Sequence, residues 1–90
     1  MTLVLNKDYG GFSIPKGFIK THPEYNSCYD NIERSDPDLI AYVREHKGDD
    51  EKCKELELIE IPDNNTDYSI DEYDGFESVI YVVNGKLHWA

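Results

Sequence analysis

Carboxylate side chains are the groups of this chain that could most readily take part in chemistry. Two neighbouring pairs, Asp71 with Glu72 and Asp74 with Glu77, have the residue types that general acid–base catalysis uses. Adjacent residues of a strand point to opposite faces, however, so the first pair would not converge on one substrate. Carboxylates are also abundant throughout this part of the chain. We therefore predict no catalytic residues and expect a protein that is not an enzyme.

Calcium is the metal ion that this sequence comes closest to binding. Residues 63–67 read Asp-Asn-Asn-Thr-Asp and place side-chain oxygens at the first, third and fifth positions of a candidate loop. An EF-hand also requires glycine at the sixth position and glutamate at the twelfth, where this chain has Tyr68 and Asp74. A solvated turn is therefore the favoured interpretation, with calcium binding as the alternative.

The histidines and cysteines are scattered singly along the chain, at His22, His46, His88, Cys28 and Cys53. Structural zinc sites draw such residues from short, paired spacings, so we expect no metal and no cofactor. A cysteine would become a nucleophile only if folding placed a histidine beside it. Buried free thiols are the favoured interpretation, and a disulfide is the alternative. The chain opens without a signal peptide, so a reducing cytoplasmic location is expected.

Negative charge is concentrated in one third of the chain. The formal net charge is −10, and residues 49–78 contain twelve acidic residues against two lysines, which accounts for all of it. Nucleic acid and anionic membranes are therefore poor direct partners, whereas a basic protein surface is a good one. No apolar run is long enough to span a bilayer.

Ninety residues are enough for one compact core, so we expect a single domain over residues 1–90. The hydrophobic pattern predicts strands at residues 2–6, 55–61, 68–73, 77–83 and 86–89, and helices at residues 15–21 and 36–47. Asp74-Gly75 and Asn84-Gly85 are typical of tight hairpin turns. The sequence therefore predicts an α+β fold, a mostly antiparallel sheet of four to five strands with two helices packed on one face.

Several local features refine this prediction. Ser13 and Ser35 are the expected N-caps of the two helices. Residues 49–54 are interpreted as a charged linker. In the strand at residues 55–61, Leu56 and Leu58 share one face whereas Ile59 and Ile61 share the other. Either a bulge lies within this strand, or the strand is central and covered on both sides.

The acidic third of the chain has two interpretations, a solvated surface and a binding surface. B-DNA carries a negative charge about every 1.7 Å of helix axis, counting both strands. Outward residues of one strand recur about every 7 Å, so a sheet and its rim can hold carboxylates at a comparable density. Interleaved aromatic side chains would anchor such an interface. The candidate partner-binding residues are Glu57, Glu60, Asp63, Asp67, Asp71, Glu72, Tyr73, Asp74, Phe76 and Glu77.

Four blocks of the sequence resemble a family of short phage and prophage proteins. They are VLNKDYGGFS at residues 4–13, RSDPDLI at 34–40, LELIEIPD at 56–63 and IDEYDG at 70–75, in the family's order. The family typically shows Asn, a basic residue, an aromatic residue and Gly-Gly-Phe near its N-terminus. This chain departs from the pattern at Asp8, where cysteine is common, and over residues 79–89. The resemblance implies no particular activity.

The resemblance does imply a biological context. Small acidic phage proteins often disable a host machine, and several anti-CRISPR proteins do so as nucleic-acid mimics. By that analogy the chain is expected to inhibit a host defence nucleoprotein in the bacterial cytoplasm by occupying a basic nucleic-acid-binding surface. The expected partner is a basic host protein or Cas effector, without direct contact to nucleic acid or membrane. The alternative is a non-catalytic adaptor or oligomerisation module that uses its sheet edge or tyrosine-rich surface, and a homodimer stays open.

Overall fold

The structure is a computed structural model that describes residues 1–25 and 32–90. The described residues form three helices and five strands, which confirms the predicted α+β fold. The helices are α1 (Lys16–Thr21), α2 (Pro37–His46) and α3 (Glu51–Glu55). The strands are β1 (Thr2–Asn6), β2 (Leu56–Glu60), β3 (Asp67–Tyr73), β4 (Phe76–Val83) and β5 (Lys86–Trp89). Cys28 lies outside the described residues.

The strands form two antiparallel sheets rather than the one predicted. β1 pairs with β2, and β3, β4 and β5 follow one another in a three-stranded meander. The helices pack on one face of the β1–β2 pair and the meander packs on its other face, so the described part of the chain has three layers. The five strands are divided because both faces of the β1–β2 pair are apolar and each needs a covering layer.

Successive side chains of β1 point to opposite faces of the middle layer, the β1–β2 pair, and both faces are covered. Val4 lies in the core cluster shared with the helices, whereas Leu3 and Leu5 lie in the cluster shared with the meander. In β2, Leu56 faces the helices and Ile59 packs toward the meander. The register between β1 and β2 is continuous from Thr2↔Glu60 to Asn6↔Leu56. Of the two alternatives for this strand, coverage of both faces is therefore confirmed, although β2 pairs with β1 alone and is not central in its sheet.

Both predicted hairpin turns form. Asp74 and Gly75 join β3 to β4 with φ values of 54° and 90°, and Asn84 and Gly85 join β4 to β5 with 52° and 74°. Positive φ at both central residues is characteristic of the type I′ turn that fits the twist of paired strands. The chain direction thus reverses within two residues at each end of β4.

The helix caps differ from those predicted. Asp36, not Ser35, caps α2, and its carboxylate accepts hydrogen bonds from the backbone N–H groups of Asp38 and Leu39. A carboxylate interacts more favourably than a hydroxyl with the positive end of the helix. Helix α1 begins after Pro15 without a side-chain cap, so the predicted role of Ser13 is also wrong.

Residues 49–54 are not a linker, because most of them form α3. The Asp50 carboxylate accepts hydrogen bonds from the N–H groups of Lys52 and Cys53. Cys53 is fully buried beneath this short helix. The Asp50 cap and the buried Cys53 side chain therefore order residues 51–55 as a helix, whereas their composition alone predicted a charged linker.

We expect Asp36→Ala to lower the free energy of unfolding by about 1 kcal/mol, because two N–H groups of α2 lose their acceptor. Urea denaturation followed by circular dichroism measures this loss. Ser35→Ala is the matched control and should change stability by less than about 0.5 kcal/mol. A larger loss for Ser35→Ala than for Asp36→Ala would contradict the assignment of the cap.

Candidate functional site

Asn6, the last residue of β1, fastens the loop that follows it to the β3–β4 turn. Its side-chain amide donates to the carbonyl oxygens of Asp8, at 2.6 Å, and of Gly75, at 2.8 Å. Its amide oxygen accepts from Lys52 Nζ at 3.2 Å. Asn6 is fully buried, so these bonds satisfy polar atoms that water does not reach.

Arg34 and Glu77 form a two-pronged ion pair beside Asn6. The two guanidinium nitrogens donate to the two carboxylate oxygens at 2.6 and 2.8 Å. Arg34 also donates to the Val4 carbonyl at 3.2 Å, and Glu77 accepts the Asn6 backbone N–H at 2.8 Å. The guanidinium carbon lies 3.6 Å from the centroid of the Phe12 ring. Arg34 thereby joins the meander to β1 and to the loop that follows β1.

Gly10 and Gly11 lie directly against Gly75. A Cβ atom on Gly75 would stand 2.3 Å from the Gly11 nitrogen and 2.5 Å from the Gly10 nitrogen. Only a residue without a side chain permits this approach between backbones. We call this region the motif junction, which consists of Asn6, Gly10, Gly11, Phe12, Arg34, Gly75 and Glu77. Residues from three of the four blocks singled out in the sequence therefore meet at one place.

The motif junction supports an exposed surface at the end of the β3–β4 hairpin. We call this surface the acidic tip, and it consists of Asp8, Tyr9, Asp71, Glu72, Tyr73 and Asp74. The side chains of Tyr9 and Tyr73 are 63% and 78% exposed. A shallow groove of about 290 Å³ runs between the two glycines of the loop and the turn, lined by Gly10, Gly11, Glu72, Asp74 and Gly75.

The four carboxylates of the acidic tip keep their charge exposed. None of them forms an ion pair with any cation in the described part of the chain. Asp8 accepts the backbone N–H of Tyr9, and Glu72 accepts that of Gly75. The tip thus combines four negative charges with two exposed tyrosines on a buried, hydrogen-bonded base.

Several predicted partner-binding residues lie elsewhere or are neutralised. Glu77 is only 5% exposed and is held by Arg34, so it is not displayed to a partner. Lys47 pairs with Glu57 at 3.0 Å, and the N-terminal amine lies 3.8 Å from Glu60. The acidic residues of 49–78 do not form one unneutralised face, because cations among the described residues pair with many of them.

Asp63 shows the strongest compensation among the exposed carboxylates that were predicted. The N-terminal amine donates to its carboxylate at 2.6 Å. This hydrogen bond raises the pKa of the amine and lowers the pKa of Asp63. The side chain of Asn65 donates to the Pro62 carbonyl and closes the turn that follows. Asp63 and Asn64 therefore lie in the predicted turn, and the chain enters β3 at Asp67.

The remaining predicted residues divide between the acidic tip and its flank. Asp71, Glu72, Tyr73 and Asp74 belong to the tip, and Asp67 is exposed at the far end of β3. Phe76 is half-buried, because its ring contacts Tyr9 at a centroid distance of 5.8 Å and Lys7 Nζ at 5.2 Å. Phe76 therefore supports Tyr9, which is not among the predicted binding residues.

Comparisons with protein-family models, with curated proteins and with solved structures find no match for this chain. Its function must therefore be argued from its own surfaces and reactive groups.

The reactive groups near the helices are held in their neutral forms. Burial raises the pKa of the Cys53 thiol to about 12, assisted by the charges of Asp50 and Asp49. Burial and a hydrogen bond to Asp50 raise the pKa of Tyr42 to about 12. A thiol with such a pKa has almost no nucleophilic thiolate at neutral pH. Cys53 and Tyr42 therefore contribute to packing and are not activated as nucleophiles.

Residues 1–25 and 32–90 contain no group of three or more histidine, cysteine or acidic side chains placed to hold a metal ion. Over these ranges the helices are also too short and too polar to cross a bilayer.

Proposed function

We propose that this protein is a non-catalytic binding protein whose acidic tip occupies a basic surface of a partner protein. The observation that supports the proposal is the combination of four uncompensated carboxylates with two exposed tyrosines on one surface. Tyrosine buries a large area at low entropic cost, and carboxylates select and orient a basic partner. Buried hydrogen bonds hold the loop and the turn that carry these groups. Binding therefore costs little conformational entropy.

The proposed partner surface is one that normally holds nucleic acid. Asp67 and Asp71 lie on the same side of β3, four residues and therefore roughly 13 Å apart, with Asp74 beyond them. This row is sparser than a DNA backbone, so it suits a short basic groove rather than a long channel. The row of free carboxylates is short because cations neutralise the neighbouring acidic residues.

The phage context suggested by the sequence blocks supplies a specific form of this proposal. The protein would act in the cytoplasm of a bacterial host as an inhibitor of a defence nucleoprotein of the CRISPR–Cas type. Inhibition would follow from occupancy of a basic site that guide or target nucleic acid needs. The resemblance of the sequence blocks and the acidity of the chain support this form of inhibition.

We expect the triple variant Asp71→Lys, Glu72→Gln, Asp74→Asn to lose at least about tenfold in partner affinity, because charge complementarity is removed. Glutamine keeps the acceptor for the Gly75 N–H, and asparagine tolerates the positive φ at position 74. The assay compares inhibition of DNA cleavage by a panel of purified Cas effectors, at low and high salt. Inhibition should weaken as salt rises.

The control variant is Glu24→Lys, Glu33→Gln, Glu45→Gln, which makes the same change in net charge at exposed positions away from the acidic tip. It should inhibit as the unmodified protein does. Equal loss in both variants would show that only net charge matters, and unchanged inhibition by the tip variant would eliminate the proposal.

The two tyrosines favour a second candidate function, an adaptor that binds chiefly through apolar contact. Tyr9 and Tyr73 are both largely exposed within the acidic tip. An adaptor of this kind would bind with little dependence on salt and would lose affinity on Tyr73→Ala. The salt series described above therefore separates the two functions.

A further inference from the structure

Strand β5 is an unprotected sheet edge. All four of its residues are exposed, and it pairs with β4 on one side. The other edge of the meander, β3, carries Asp67, Asp71 and Glu72, and charged residues of this kind discourage pairing with another strand. β5 has no carboxylate, and its basic residue is Lys86. The two edges therefore differ in whether they admit a further strand.

The backbone groups at this edge point outward from two particular residues. Val79 and Ala90 exchange both of their backbone hydrogen bonds at 2.9 Å. Hydrogen-bonded and non-hydrogen-bonded pairs alternate along an antiparallel ladder. The backbone of His88 therefore bonds to that of Tyr81, whereas the backbone groups of Leu87 and Trp89 point away from β4. The N–H and C=O groups of Leu87 and Trp89 are thus directed at the open edge.

The same two residues carry exposed apolar side chains. Leu87 is 60% exposed and Trp89 is 63% exposed. By alternation they share the outer face of the meander with Ile80 and Val82, on the side opposite the core residue Val79. The open edge therefore presents hydrogen-bonding groups and apolar side chains from the same positions, which is the arrangement that strand addition uses.

We propose that β5 pairs with β5 of a second copy of this chain to form a two-fold symmetric, six-stranded sheet. A two-fold axis beside His88 sets Leu87 opposite Trp89 of the second copy, and Trp89 opposite its Leu87. This antiparallel register satisfies the four outward-pointing groups of each copy. It also places each tryptophan side chain against a leucine on the outer face. The proposal does not depend on the acidic tip.

Charge distribution selects a second copy over a basic partner. A basic partner would be drawn to β3 and the acidic tip, which lie two strands away from the open edge. In the paired sheet the two β3 strands occupy opposite outer edges, five strand spacings or roughly 24 Å apart. That separation is about three times the Debye length at physiological salt, so the acidic regions repel each other little.

The local charges at the pairing site weaken the dimer at low salt. Lys7 Nζ lies 3.4 Å from the Ala90 carbonyl oxygen. In the proposed register Lys86 of the second copy stands opposite Ala90, so two lysines approach each other. The net charge of −10 on each copy acts in the same direction. Dimerisation should therefore strengthen as salt rises, whereas binding through the acidic tip should weaken.

The dimer is expected to be weak, because an edge of four residues buries less area than a standard interface. We expect a dissociation constant on the order of tens of micromolar. Sedimentation velocity over about a thousandfold dilution series should show conversion from 10.4 kDa to twice that mass. Trp89 is the chain's single tryptophan, so its emission should shift to shorter wavelength as the dimer forms.

Trp89→Lys should weaken dimerisation by about a hundredfold. The dimer is two-fold symmetric, so one substitution in the chain removes two tryptophan–leucine contacts. Ser69→Lys is the matched control. It adds the same charge at an exposed position on the same face of the meander, but on β3. It should dimerise as the unmodified protein does. Circular dichroism verifies that both variants remain folded.

Hydrogen exchange distinguishes edge pairing from other contacts. The amides of Leu87 and Trp89 should exchange rapidly in dilute protein and become protected at high concentration, whereas that of His88 should be protected in both. A monomer at all concentrations would overturn the proposal. So would a dimer that survives Trp89→Lys, or one that forms without protection of these two amides.

Discussion

Glu77→Ala is expected to lower the free energy of unfolding by about 3–5 kcal/mol, one of the largest losses available in this chain. The substitution leaves the Arg34 guanidinium without its carboxylate, in a site where the Arg34 side chain is only 17% exposed. It also removes the acceptor for the buried Asn6 N–H. An unpaired buried charge and an orphaned N–H group act in the same direction.

Equilibrium denaturation in urea, monitored by circular dichroism, measures this loss. Glu51→Ala provides the control, because Glu51 forms an ion pair with Lys54 but is 92% exposed. Exposed pairs contribute about 0.2–1 kcal/mol, so the control should stay near the stability of the unmodified protein. Similar losses in the two variants would mean that the Arg34–Glu77 pair is not buried as described.

Gly75→Ala is expected to lower the free energy of unfolding by at least about 3 kcal/mol, and to loosen the acidic tip. Two separate effects contribute. Alanine is strained at φ 90°, and its Cβ would overlap the backbone nitrogens of Gly10 and Gly11. The overlap is with backbone rather than with a flexible side chain, so the loop has to leave the turn.

Gly85→Ala separates the two effects. Gly85 has φ 74° at the equivalent position of the β4–β5 turn, but a Cβ there would meet nothing within 4 Å. Gly85→Ala should therefore lower the free energy of unfolding by about 1–2 kcal/mol, through backbone strain alone. Urea denaturation gives both values, and partner binding by folded Gly75→Ala protein reports on the tip. Equal losses at the two glycines would contradict the contact between turn and loop.

Strands and hairpin turns were predictable from the sequence because their signals are local. Asn84-Gly85 fixes a two-residue turn by its own backbone preference, and the run of β-branched and aromatic residues at 79–83 in β4 needs no information from elsewhere. The division into two sheets was not predictable in this way. It depends on which strand covers Ile59 and Ile61, and that is decided by packing between residues distant in sequence.

The candidate site was only partly predictable for the same reason. Asp71, Glu72, Tyr73 and Asp74 form one exposed turn, so their composition alone identified them. The burial of Glu77 depends on Arg34, which is 43 positions away. Asp8 and Tyr9 join the tip only because two glycines let their loop approach the turn. The Gly10-Gly11 pair was visible in the sequence, but its contact with Gly75 was not.

The middle layer also has a consequence for how the chain acquires its structure. Thr2 pairs with Glu60, which is 58 positions away, whereas Tyr73 and Phe76 pair across a two-residue turn. Closing the longer loop carries the greater entropic penalty, so the meander can assemble before β1 finds its partner. Because β1 precedes β2 and the whole meander in the chain, its meander-facing side stays uncovered until residues 67–89 have been synthesised. The first of the five described strands is thus among the last to be enclosed.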